Sequence, residues 1–129
     1  MPWIFVRKRR KRKKNPAKNY VIHKEAARQL VHTKLAQWNT YYNFSYKRVA
    51  IRNTRRNWGS CTSLKNLNFN YKILFLPEHL QDYIVAHELC HLQELHHKET
   101  FWNLLAQAIP DYENRRAELR ILEKQLSSL

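Results

Sequence analysis

The sequence predicts an α+β fold, and three observations carry that reading. A helical hydrophobic pattern occupies residues 23–42, short alternating segments fill residues 47–75, and three further helical stretches follow. The alternating segments lie together instead of interleaving one by one with helices, so the order is helix, strands, helices. The links between them are short, which points to an antiparallel meander or a small mixed sheet of three strands. A chain of 129 residues suits one domain and can bury a core without disulfide staples.

Each element has its own local signal. Ala27, Val31, Leu35, Trp38 and Tyr42 recur at steps of three and four, with Leu30 and Tyr41 beside them, which defines the N-terminal helix. Residues 47–53 alternate, with Val49 and Ile51 on one face, and residues 58–62 form a second candidate strand. The run Asn66-Leu67-Asn68-Phe69-Asn70-Tyr71 alternates polar and apolar and opens a third strand running toward Phe75. Pro77 suits the first position of a helix, where its missing N–H costs nothing, and Glu78 suits the first turn of a helix dipole. That helix is expected over residues 77–94, another over 98–108, stopped before Pro110, and a last one over 112–126 with Leu119, Leu122 and Leu126 on one stripe. Residues 1–19 read as a basic flexible arm and 20–129 as the folded domain, because the charge run and Asn15-Pro16 leave little to pack.

The formal net charge is +14, and eight of those charges sit in the run that begins at Arg7 and ends at Lys14, so +14 less eight leaves +6 on the rest. A basic body with a second, concentrated basic patch attracts polyanions such as nucleic acid, although a solvated tail explains the run equally well. No stretch is long and apolar enough to span a bilayer, and the order of the first residues, apolar then charged, is the reverse of a secretory signal. The two cysteines, Cys61 and Cys90, are too few for a disulfide framework and fit a reducing cytoplasm.

The chemistry concentrates at residues 87–91, His-Glu-Leu-Cys-His. On a helix, residues four apart lie one above the other, so His87 and His91 offer two imidazoles to one ion, and neutral imidazole suits Zn²⁺. Glu88 points about 100° round the axis from His87, away from a ligand position and toward water on the open side of the ion. A catalytic zinc site takes three protein ligands and leaves one position open. His97, His96, and Glu113 or Glu118 are the candidates for the third, ranked in that order by spacing. The only glycine, Gly59, sits inside Trp58-Gly59-Ser60-Cys61, where it either opens a strand that lines the cleft or lets that strand pack on a helix. Arg52, Arg55 and Arg56 precede that strand and are either phosphate-holding or a solvated turn. His23, His32 and His79 read as surface residues and Cys90 as a small buried one.

The sequence resembles the YgjP-like metallopeptidases, close to the WLM and SprT-like families. The resemblance rests on Trp58-Gly59-Ser60-Cys61, Leu67-Asn68-Phe69-Asn70, Pro77, His-Glu-Leu-Cys-His-Leu at 87–92, and His97 with Phe101-Trp102. It implies a zincin-like domain with an HExxH active-site helix, with His87, His91 and His97 as metal ligands and Glu88 as general base. The expected activity is that of a zinc metallopeptidase on peptide or protein substrates, with nucleic-acid-associated proteins suggested by the SprT-like resemblance and the arm. Two other activities fit the same residues: hydrolysis of a phosphate-containing small molecule, of the nucleoside-triphosphate pyrophosphatase type, and nucleic-acid binding around a structural zinc. For an oxyanion partner the sequence offers Tyr71, Tyr83 and Tyr112 without choosing among them.

Overall fold

The structure is a computed structural model and describes residues 16–127. It contains α1 (Pro16–Tyr42), β1 (Arg48–Arg52), β2 (Gly59–Cys61), β3 (Asn66–Asn70), a 3-10 helix (Tyr71–Phe75), α2 (Glu78–Cys90), α3 (Glu99–Ala108) and α4 (Tyr112–Ser127). The α+β order is the one expected, with a mixed three-stranded sheet. β3 lies in the middle, parallel to β1 and antiparallel to β2, so β2 forms one edge. The basic run at residues 7–14 lies outside the described residues.

Four boundaries differ from the sequence reading, each for a local reason. α1 begins at Pro16, so residues 16–19, assigned to the arm, form its first turn; proline is well tolerated there. The third strand stops at Asn70, whose side-chain oxygen accepts from the Lys72 amide at 3.0 Å and turns the chain into the 3-10 helix. Pro77 is the N-cap of α2 and not its first residue. The same helix ends at Cys90 instead of running to residue 94, and that early end shapes the site described below.

α1 is a brace. Ala27, Val31 and Leu35 are fully buried on one stripe, and α1 closes with Asn43 at φ 58°, the left-handed cap that asparagine tolerates. Lys34 reaches from the same stripe to Glu78 at 2.6 Å and Asp82 at 2.9 Å. Trp38 donates to Asp82 at 3.0 Å, so three polar contacts tie α1 to the start of α2. The Tyr20 hydroxyl donates to the Ile51 carbonyl at 2.8 Å and the Tyr42 hydroxyl to the Leu104 carbonyl at 2.8 Å, linking α1 to the sheet and to α3. α2 lies at the centre: every residue from Tyr83 to Leu92 is buried.

On the far side, the buried Trp58 indole donates to the buried Glu123 carboxylate at 2.6 Å, joining the entry of β2 to α4. Burial pushes the Glu123 carboxyl from 4.5 up to about 7, although the Trp58 hydrogen bond and the Arg120 charge both pull it down. A carboxyl raised on folding contributes stability below its unfolded pKa, and that contribution is lost as pH rises through the folded value. Glu123→Gln keeps an acceptor for the indole but cannot ionise. Thermal unfolding of parent and variant should therefore coincide near pH 4.5, with the variant higher by a few degrees at pH 8. Parallel curves across that range would show that the carboxyl ionises freely in the fold.

Candidate active site

The site is built on the last turn of α2 and the loop that follows. His87 and Glu88 are almost wholly buried and His91 nearly so. α2 stops at Cys90, with His91 as its C-cap, and the next amides fold back on the helix: Leu92 donates to the Leu89 carbonyl, and Gln93 and Glu94 to the Cys90 carbonyl. Lys65, at φ 67° in the turn between β2 and β3, reaches across to the Leu92 carbonyl at 3.1 Å and supplies a cation where the helix dipole favours one. This tight reversal needs no glycine, and it returns residue 97 to the helix.

Three ring nitrogens converge as a result. The Nε2 atoms of His87 and His91 are 3.2 Å apart, those of His91 and His97 3.0 Å, and those of His87 and His97 3.3 Å. Among the described residues this is the one cluster of His, Cys, Asp or Glu with the geometry to hold a metal ion. His91 Nδ1 donates to the Glu94 carbonyl at 2.8 Å, which leaves a lone pair on Nε2 in the neutral ring. Burial, then the neighbouring imidazoles, holds His87 well below its ordinary pKa; burial lowers His91; burial and the His91 charge bring His97 down to about 4. All three are neutral at pH 7, the form that binds metal.

Aromatic rings fix these imidazoles. Phe101 stacks on His91 with centroids 4.4 Å apart, and Trp102 stacks on His97 at 5.7 Å while its indole donates to the His97 carbonyl at 3.0 Å. His96 turns away: its Nδ1 accepts from the Lys98 amide at 3.1 Å and its Nε2 meets Glu94 at 2.8 Å. The other proposed third ligands are elsewhere, since Glu118 pairs with His79 at 2.8 Å and Glu113 is exposed at the start of α4.

Glu88 faces the sheet. Neither of its carboxylate oxygens has a hydrogen-bond partner, and burial pushes its pKa from 4.5 up to about 8. Its side chain lies against Gly59 in β2: a Cβ there would stand 3.0 Å from Glu88 Cγ, 3.1 Å from Glu88 Oε2 and 3.1 Å from the Asn68 carbonyl. The strand therefore packs on the helix at the carboxylate itself. Trp58 is buried on Glu123, whereas Ser60 and Cys61 are half-exposed on the edge strand.

The remaining candidates separate in the same way. Tyr83 is fully buried with its ring 5.6 Å from that of His87, Tyr112 stacks on Trp102 at 5.2 Å, and Tyr71 packs on Tyr20 at 5.6 Å. Arg52 donates to the Asn68 side chain at 3.2 Å, and Arg55 and Arg56 lie on an exposed turn. Burial raises the Cys90 thiol to about 12 and the Cys61 thiol to about 11, so neither is poised as a nucleophile or ligand. Two neighbours had no assigned role in the sequence reading: Trp102, named there only within the motif, and Arg116, whose guanidinium lies 4.8 Å from the Trp102 ring centroid.

A helix that carries two imidazoles and a buried carboxylate, closed by a third imidazole from the following loop, is a metal-dependent hydrolase arrangement of the metallopeptidase class. The model of the YgjP-like metallopeptidase domain matches residues 2–121, and the chain belongs to that family. The fold is similar to that of the metallopeptidase zymogen abylysin of Pyrococcus abyssi, at TM-score 0.61 and 24% identity over 73% of this chain and 93% of that one. It is also similar to the zymogen jannalysin of Methanocaldococcus jannaschii, at TM-score 0.54 and 25% identity over 77% and 96%. Comparison with curated proteins gives no match. Membership of the family implies a catalytic metal and peptide or protein substrates.

Gly59→Ala tests the contact between β2 and the carboxylate. The added methyl meets a fixed backbone carbonyl on one side, so the Glu88 side chain has to move. Hydrolysis should fall about 10–100-fold with the spacing of the three histidines unchanged, since small misplacements at a reacting centre cost that much. Full activity in Gly59→Ala would show that the carboxylate position is not set by this contact.

Proposed function

We propose that this chain is a zinc-dependent peptidase in which His87, His91 and His97 hold the metal and Glu88 is the general base. The observation that carries this reading is the triangle of Nε2 atoms. Zinc binds imidazole at about 2.0–2.1 Å, and two such ligands at a tetrahedral angle stand about 3.3 Å apart. The sides of the triangle, 3.0 to 3.3 Å, fit that spacing. Three neutral rings in this arrangement turn lone pairs toward one point, which a cation there would relieve. Three ligands also leave a fourth position open, as catalysis requires.

Zinc held there supplies Lewis acidity, lowering the pKa of water to about 7 and polarising a carbonyl. The protein's own part is proton handling and alignment. Glu88 keeps both oxygens uncommitted to other donors, so it takes a proton from the attacking water and passes it to the leaving amine. The outer edge of β2 is the natural seat for an extended substrate, because an edge strand offers main-chain hydrogen bonds beside Glu88. The half-exposed Ser60 and Cys61 belong to that edge. No helix among the described residues is long and apolar enough to cross a membrane. The two free thiols suit a reducing cytoplasm.

Glu88→Gln should retain one zinc per chain and lose about 10²–10⁴-fold in hydrolysis of casein or a peptide. In a paired zinc titration, His97→Ala should weaken affinity far more than His96→Ala. Unchanged turnover in Glu88→Gln, or greater damage from His96→Ala, would overturn the corresponding assignment.

The net charge of +14 supports action on proteins bound to nucleic acid, with the run from Arg7 to Lys14 as the contact. Removing residues 1–14 should weaken binding to a duplex DNA of arbitrary sequence and make the slope of log affinity against log salt shallower. Identical affinity and slope in both forms would assign the run to a solvated tail.

A further inference from the structure

α4 presents two neighbouring arginines with opposite situations. Arg115 is committed: it pairs with Asp111 at 3.1 Å and donates to the His79 carbonyl at 3.1 Å. Arg116 pairs with no carboxylate among the described residues, and its Nε is buried without an acceptor. Its guanidinium is nevertheless held in place, 4.8 Å over the Trp102 ring, and that ring lies 5.7 Å from His97 and 6.1 Å from His87. Arg116 is five residues into α4, where the helix dipole gives a cation no support. A buried donor without an acceptor is costly, so the guanidinium is completed by something other than the neighbours described.

The placement is electrostatically coupled to the site. After burial and the neighbouring imidazoles, the Arg116 charge adds to the depression of His87 and His97, and after burial it is the largest influence on Tyr83. Arg120 stands one turn further along α4 and also acts on Tyr83 and on Glu123. A planar guanidinium with free donors takes a carboxylate through two parallel hydrogen bonds. At about 3.4 Å per residue of extended chain, a cation one aromatic ring from the histidines is within a few substrate residues of the bond to be cut.

We propose that Arg116, braced on Trp102, is a specificity residue that receives a substrate carboxylate within a few residues of the scissile bond, either an Asp or Glu side chain or a free C-terminus. This rests on the peptidase reading for its substrate class. The cation selects acidic peptides from others, and Trp102 makes it rigid by stacking beneath it while also holding His97.

Zinc-loaded Glu88→Gln protein separates recognition from turnover. It is titrated with alanine-rich hexapeptides that carry one Glu or one Gln at each position in turn, each as the free acid and as the C-terminal amide. One arm, Glu against Gln, reads a side-chain carboxylate; the other, acid against amide, reads the C-terminus. At least a tenfold preference for the carboxylate member is expected in one arm. Adding Arg116→Gln should bring that ratio close to one, Arg116→Lys should keep part of it, and Arg115→Gln should keep it whole.

No preference in either arm overturns the proposal. So does an Arg116→Gln form that loses zinc and weakens both members of each pair equally, since Arg116 would then only support Trp102 and His97. The parent enzyme, assayed for cleavage of the same peptides, judges the peptidase reading separately. Cleavage without preference sinks only the proposal about Arg116, and preference without cleavage sinks only the peptidase reading.

Discussion

The burial of two imidazoles and a carboxylate on the last turn of the central helix, with a third imidazole brought to them by the following loop, is the constraint around which the structure is arranged. Groups of this kind are expensive to remove from water unless they are paired or bind metal. α2 nonetheless buries His87, Glu88 and His91 among Ile84, Val85, Leu89 and Cys90. The surroundings serve to hold this polar cluster fixed. The Glu94 carbonyl orients His91, the Trp102 indole orients the loop at His97, and Phe101 fills the space between rings. Such outer contacts set which nitrogen faces inward, which matters as much as the ligand identities. Lys34, Glu78 and Asp82 secure the opposite end of the same helix against α1, so α2 is anchored at both ends.

The carboxylate adds a second constraint, of space. Glu88 leaves the helix on the side of the sheet, and the sheet has to approach it closely without a side chain in the way. Gly59 meets that requirement. Its backbone conformation is not in the left-handed region, so freedom of φ is not the reason for glycine. Contact is the reason, with Glu88 and the Asn68 carbonyl both at the limit of what a methyl would allow. Because β2 is an edge strand, the same close approach places a strand with unused main-chain groups beside the proposed general base.

Much of this was legible in the sequence, for reasons that differ by element. The helices showed because buried stripes repeat every three or four residues, and the HExxH pair because helix geometry alone brings residues four apart together. β3 showed through the alternation of Leu67 and Phe69, both fully buried. Its end at Asn70 did not show, because a side-chain cap decided it and Ile73 and Leu74 carry no mark of a 3-10 turn. The choice of His97 over His96 depends on how the chain reverses after Cys90, a matter of three backbone hydrogen bonds that spacing only hints at. Arg116 was invisible among the charged residues of a polar helix. Only its place over the Trp102 ring of α3 distinguishes it from Arg115.

Charge balance connects the site to its surroundings. Three neutral histidines contribute no negative charge, so a divalent cation at their centre would be offset nearby mainly by Glu88. An opposite charge at that distance lowers a carboxyl pKa, so the value near 8 that burial imposes on Glu88 falls once the cation is bound. The proposed base would thereby be tuned by the same ion it works beside: ionised with the cation bound, and inclined to neutrality without it. With Arg116 and Arg120 on the adjoining helix, the loaded site carries a net positive field. A field of that sign would draw negatively charged groups toward the three histidines. Tyr83 is buried against His87, and burial drives its hydroxyl pKa upward.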